Sequence, residues 1–246
     1  MNMNQGALLF ARYSFMPNRL GYCGGQQYEE LLQYCVAQES DPGLTDLLVQ
    51  FQGAYPYMQF IAHANGIKDA FDKRVIEAYW LGNSLLENVN PVNFYRFLTE
   101  RFSPQLSRKA LEYVTAKPQV GALPHHSFHV FDVHSRLGML GPALEVMDKC
   151  RISWGSVVSV EDGHALVNTR PLTLRGNKLA LGEPEIKSAA YRIDGTGYLL
   201  QPKPGEIVSL HWDWVCDQLS SQQAADLERF TRRHLALANA TLSTIA

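Results

Sequence analysis

Cys150-Arg151-Ile152-Ser153-Trp154-Gly155-Ser156-Val157-Val158-Ser159-Val160-Glu161-Asp162-Gly163-His164-Ala165-Leu166-Val167-Asn168-Thr169 is the stretch where the chain changes its grammar. Ser156 to Val160 is short and β-branched, and Ala165 to Thr169 answers it. The Asp-Gly between them is a turn signal, so the two runs read as paired strands. Arg175-Gly176-Asn177-Lys178 is a further turn. Tyr198-Leu199-Leu200 and Ile207-Val208-Ser209-Leu210-His211 read as more strands, joined through Pro202-Lys203-Pro204-Gly205. Several short strands at this spacing predict a small β-barrel. Ser221 to Ala240 follows as an amphipathic helix, with Ala225, Leu227, Phe230, His234 and Leu237 on its packing face.

Upstream of Cys150 the period is helical. Tyr28, Leu31, Leu32 and Cys35 recur at helical spacing, and so do Leu44, Leu47, Leu48 and Phe51. Val75, Tyr79, Leu85, Leu86, Phe94, Phe97 and Leu98 continue it. Asn90-Pro91 and Ser103-Pro104 read as helix starts, a capping side chain followed by proline in the first turn. Residues 10 to 25, punctuated by Pro17, Gly21, Gly24 and Gly25, read mostly as loop. Pro142 to Lys149 reads as a short helix closing this part. The fold class expected is α+β: a helical domain over residues 1–147, then a small β-barrel with a C-terminal helix over 148–246.

Composition narrows the function. The 246 residues are 46% hydrophobic and 19% charged, which is ordinary for a chain with a packed core. A net charge of -2, from 22 basic and 24 acidic side chains without a basic stripe, argues against a nucleic-acid partner. No apolar run reaches the roughly 18 residues of a membrane span. The first residues lack the order of a signal peptide. A cytoplasmic protein is therefore expected, with cysteines as buried hydrophobes, metal ligands or nucleophiles. The four are Cys23, Cys35, Cys150 and Cys216; none forms a Cys-x-x-Cys pair, which excludes a zinc ribbon. Cys35 and Cys216 follow apolar patterns and read as core.

His125-His126-Ser127-Phe128-His129-Val130-Phe131-Asp132-Val133-His134 holds four of the eight histidines. On a helix His125 and His129 share a face, the spacing used by metal ligands. On a strand His126, Asp132 and His134 share one instead. Imidazole with carboxylate suits iron or zinc; the other reading is structural hydrogen bonding. Cys23, in Gly21-Tyr22-Cys23-Gly24-Gly25, is either a ligand or nucleophile on a tight loop, or a buried turn residue. Arg12 and Arg19 flank that loop and either hold an anion or form salt bridges. Cys23, His125 and His129 are thus candidate catalytic residues, Arg12, Arg19 and His126 candidate ligand-binding residues, and His125 and His129 candidate metal ligands.

Residues 148 to 240 resemble the small nickel-iron hydrogenase assembly chaperones. Those proteins open with a cysteine and a short strand ending in Pro-Gly-Lys-Val, and close with a histidine-ended strand and a terminal helix. The matching pieces are Cys150 to Val158, Pro204-Gly205-Glu206-Ile207-Val208-Ser209-Leu210-His211-Trp212, and the helix from Ser220 to Leu237. Here the cysteine is internal, Trp154 stands where the family has proline, and about Pro171 to Gly197 is an added segment. The resemblance implies that Cys150 and His211 contact an iron unit carrying cyanide and carbon monoxide. It implies as partners hydrogenase maturation proteins or the large-subunit precursor. The N-terminal part resembles an uncharacterised bacterial and archaeal family loosely associated with hydrogenase genes. The function expected is that of an accessory factor in hydrogenase maturation. The alternatives are an iron-dependent enzyme with a histidine-rich site supplying a small ligand such as carbon monoxide, and a metal-free binding chaperone.

Overall fold

The computed structural model describes residues 4–134, 144–176, 178–193, 195–197 and 201–242. The first half is helical: α1 Gln5–Arg19, α2 Tyr28–Ala37, α3 Pro42–Leu48, α4 Tyr55–Ala64, α5 Lys73–Trp80, α6 Pro91–Phe102 and α7 Arg108–Ala116. A one-turn α8, His126–Phe128, runs into a π-helical segment, His129–His134, and α9 spans Leu144–Cys150. Then come β1 Ser153–Glu161, β2 His164–Thr169, β3 Leu172–Arg175, β4 Lys178–Leu181, β5 Glu185–Ala190, β6 Ile207–His211 and β7 Trp214–Leu219. Helix α10, Ser221–Leu242, follows. The α+β class holds, with the helices first, the strands second and a helix last.

Two sequence expectations are corrected in the helical part. Residues 10 to 19 belong to α1 rather than to a loop. Asn4 caps this helix by accepting from the amides of Gly6 and Ala7. Residues 6 to 11 and 13 to 18 are buried. A helix buried nearly all round lacks an amphipathic stripe, and so looks irregular to a period test. Pro17 is accommodated in its last turns, and the glycines act only from Gly21 onward. The second correction is at Ser103, which ends α6; the cap of α7 comes four residues later, with Ser107 accepting from the Ala110 amide. Asn90 does cap α6 as expected, accepting from Val92 and Asn93.

Strands β1, β2, β5, β7 and β6 are paired in that order around a closed barrel, with β1 also paired to β6. Closure between β5 and β7 rests on one parallel pair, Ala190 with Trp214. The β1–β2 turn is Asp162-Gly163, both at positive φ, the backbone a two-residue hairpin loop demands. The predicted turn falls between β3 and β4, which pair with each other as a two-stranded sheet. Asn239 of α10 bonds both the amide and the carbonyl of Leu179 there. Sequence reading passed over β5 and β7. The strand expected at Tyr198–Leu200 lies outside the described residues.

Inside the barrel Val157, Ala165, Val167, Ala189, Tyr191, Val208, Leu210 and Val215 form a small core of their own. The larger hydrophobic core is helical, but it continues across the 147/148 division to Trp212, Trp214, Cys216, Leu227 and Phe230. Alternation along β6 explains how. Val208 and Leu210 point into the barrel, so Ser209 and His211 point out of it. They meet α1: Tyr13 Oη lies 2.8 Å from Ser209 Oγ, and His211 Nδ1 lies 2.6 Å from the Tyr13 carbonyl. Trp214 packs edge-on against Phe15 at 5.1 Å. Burying side chains of this size contributes about 1.5–3 kcal/mol each.

Candidate metal centre

Cys150 ends α9, three residues before β1, and His211 ends β6. Antiparallel pairing sets Ser153 opposite Leu210. The residues just before Ser153 therefore lie beside those just after Leu210. The Trp212 amide donates to the Lys149 carbonyl at 2.8 Å, which extends that pairing to the foot of α9. His126, the first residue of α8, completes the group. One donor atom from each of His126, Cys150 and His211 lies within 4.8 Å of the others. All three side chains are buried, at 5%, 6% and 2% exposure.

Hydrogen bonds select the tautomers. A carbonyl can only accept, so His211 Nδ1 donates to Tyr13 and its Nε2 carries the lone pair. His126 Nε2 donates to the Cys150 carbonyl at 2.8 Å, which leaves the lone pair on Nδ1. Tyr79 Oη is 3.3 Å from that Nδ1. Each imidazole is thus oriented by a backbone carbonyl, the outer-shell arrangement common to metal-bound histidines. Trp80 packs against both rings, at 4.6 Å from His126 and 5.6 Å from His211. Burial pushes the Cys150 thiol up, and a nearby Cys23 thiolate would push it further. The Trp212 indole favours the thiolate without reaching full N–H to sulfur geometry.

A cavity of about 540 Å³ opens beside the triad. Its wall includes Cys23, Tyr79, Trp80, Arg101, His129 and Trp212 as well as the triad itself. Cys23 sits on the glycine loop, and burial pushes its thiol up to about 12. Asn18 Nδ2 donates to the carbonyls of Cys23 and Gly25 and so pins that loop. Gly24 has φ +81°, and a Cβ there would sit 2.5 Å from the Phe51 ring. The glycine therefore lets the loop approach its neighbour more closely than any side chain would allow. Tyr22 stacks on Trp212 at 4.0 Å.

His129 lines the cavity, its Nδ1 3.2 Å from Tyr57 Oη, but it is not a member of the triad. His125 does not join it. The expected shared face of His125 and His129 is corrected, because His125 is the extended N-cap of α8 rather than a residue within a helix. His125 instead caps α8 and turns toward α10. Its Nδ1 is 2.7 Å from Ser127 Oγ, which lies 2.7 Å from His234 Nδ1. Burial lowers His125 to about 3 and holds His234 well below its ordinary value. These two imidazoles are neutral core residues. Asp132 is buried against Lys117 at 3.0 Å and accepts from Tyr113 at 2.8 Å. Arg12 pairs with Asp217 at 3.2 Å and with Gln38, and Arg19 is exposed at the end of α1. Neither arginine lines the cavity, so the salt-bridge reading fits Arg12.

Trp212 was missed as a site residue. With Asp213 it forms the two-residue loop between β6 and β7, both at positive φ. A tryptophan in that conformation carries strain of the kind found at functional sites. The signal was present as His211-Trp212-Asp213-Trp214, two strand-like runs two residues apart. Arg101 carried no comparable signal on its amphipathic helix.

The fold and site define an α+β protein with a buried two-histidine, one-cysteine cluster at the seam of its helices and barrel. The chain belongs to a family of unknown function (DUF6390), whose model matches residues 2–245 and so includes all three members of the cluster. No curated protein and no solved structure matches it. Among the described residues no helix is long and apolar enough to cross a membrane.

Proposed function

We propose that the protein is a metal-handling accessory factor that holds iron at His126, Cys150 and His211 during maturation of a nickel-iron hydrogenase. The carrying observation is the meeting of those three donors within 4.8 Å. Two of them, sixty-one positions apart, are the residues that the chaperone resemblance nominates for the iron unit. The third, His126, comes from the helical half. The donor set suits the cargo: a thiolate is a soft ligand and imidazole accommodates iron. His126 and His211 are pre-oriented by carbonyls, Trp80 packs both rings, and Cys150 gives up its proton to the metal as thiolate ligands do. The cavity beside them leaves room for the diatomic ligands of the iron unit.

The test is anaerobic coexpression with hydrogenase maturation proteins, followed by metal analysis and infrared spectroscopy of the purified chain. Iron with cyanide and carbon monoxide bands, lost in Cys150→Ala and in His211→Ala, is the expected result. Wild-type protein without iron, or iron retained in Cys150→Ala, overturns it. The second reading is an iron-dependent enzyme, favoured by His129 and Cys23 on the cavity wall. It requires iron that is lost in His129→Ala and kept in Cys150→Ala.

A further inference from the structure

The same cavity has a polar character that the metal triad does not account for. Among its lining residues there is one guanidinium, Arg101, and no aspartate or glutamate. Arg101 has no carboxylate partner among the described residues. Its terminal amino group donates to the Gln52 carbonyl, its face lies 5.5 Å from the Phe102 ring, and its Nε is buried without an acceptor. Trp80, 3% exposed, also places its indole N–H on no acceptor. A buried donor without an acceptor is destabilising, and more so when it is charged. Three such donors on one acid-free wall, Arg101 Nε and the indole N–H groups of Trp80 and Trp212, call for an acceptor-rich, negatively charged occupant. The rest of the wall, with Phe51, Phe102, Tyr79 and Trp212, is aromatic.

We propose that the cavity binds a small organic carboxylate through Arg101, with the apolar body of the ligand against the aromatic wall. Arg101 supplies the charge-assisted bonds, which are about twice as strong as neutral ones. The Trp80 indole supplies a further donor. This subsite goes beyond the metal reading and does not require it: its determinants lie outside the triad. A carboxylate bound here sits in the same cavity as His126, Cys150 and His211, so a metal-directed group and an anion-directed group share one chamber.

The experiment uses chelator-treated full-length protein and a panel of acetate, hexanoate, benzoate and phenylacetate, with benzamide as the neutral control. Fluorescence of Trp80 and Trp212 is the readout, with thermal shift as a second. Saturable quenching by at least one carboxylate, weaker for benzamide by on the order of tenfold or more, is expected. Arg101→Gln weakens the carboxylate by on the order of tenfold to a hundredfold and leaves benzamide unchanged. Arg101→Lys retains part of the binding, which separates charge loss from misfolding. No response to any of the four carboxylates overturns the proposal, and so does equal binding by Arg101→Gln. Carboxylate binding that appears only after metal loading and survives Arg101→Gln also overturns it, while leaving the metal reading standing.

Discussion

The rings of His126 and His211 meet edge to face, with centroids 5.2 Å apart and planes at 78°. Each is held by a different carbonyl, Cys150 for one and Tyr13 for the other. The pair is thus clamped between the helical half and the barrel before any ligand arrives. Pre-orientation of this kind lowers the ordering entropy that metal binding must otherwise overcome.

The triad is expected to act as a unit. His126→Gln, Cys150→Ser and His211→Gln should each weaken iron(II) or cobalt(II) binding by at least the roughly ten- to hundredfold range seen for outer-shell partners. His129→Gln should leave metal affinity within about threefold of wild type. Cobalt titration with competition by a chromophoric chelator measures this, and the thiolate-to-cobalt absorption band should vanish only in Cys150→Ser. Equal losses in His129→Gln would remove the distinction between the triad and the cavity wall.

Metal uptake should release a proton. Burial holds Cys150 as a neutral thiol at neutral pH, and only the thiolate is a ligand. Apparent affinity should therefore rise with pH, by about tenfold per unit for one displaced proton. Chelator competition between pH 6.5 and 8.5 tests the slope, and Cys150→Ser should flatten it.

The neutral core histidines make the fold acid-sensitive. His125 and His234 take up protons near pH 6.5 when unfolded but far lower when folded. Below the unfolded value the unfolded state binds more protons. The stability is therefore complete above about pH 6.5 and falls as pH drops toward 3, the folded value for His125. Each histidine contributes a loss of roughly 1 kcal/mol per pH unit in that window. Urea unfolding at pH 7.5, 6.5 and 5.5 measures it. A His234→Asn variant should show a shallower acid slope than wild type.

Asp148 should be the most sensitive single residue at the junction. It accepts from Arg151 at 2.7 Å, from the Leu172 amide at 2.8 Å and from Lys187. Burial works against its charge, but Arg151 and Lys187 outweigh that and keep its carboxyl below the usual range. Asp148→Ala would strand Arg151, which is 1% exposed, at a loss of about 3–5 kcal/mol. Lys187→Met removes a partner that is 26% exposed and should lose no more than about 1 kcal/mol. Chemical denaturation of the two variants compares them directly.

Legibility in the sequence followed local physics. The Asp162-Gly163 hairpin, the Asn90 cap and the glycine loop around Cys23 were readable because each depends on a few adjacent residues. Helix α1 was not, since burial on nearly every side erases the stripe that a period test needs. The histidine segment was misread for a related reason. His125 stands in extended backbone as the cap of α8, so it leaves the face that a continuous helix would share with His129, and its link through Ser127 to His234 of α10 is a long-range contact. Strand β5 was passed over because its burial does not alternate, and β7 because its first three residues are all buried, although the two-residue spacing after His211 marked it.

By itself the sequence determined the helical half before the strand-rich half, the switch from helical to strand periodicity at Cys150, and the residue types from which a metal site can be made. Only the tertiary structure decided which of them meet. Pairing Ser153 with Leu210 carries Cys150 to His211, and the outward phase of β6 turns that imidazole into the helical core. The switch into α8 then delivers His126 and sends His125 the other way. Strand register and helix phase are long-range quantities, set by how apolar faces are buried against one another, and no window of adjacent residues contains them.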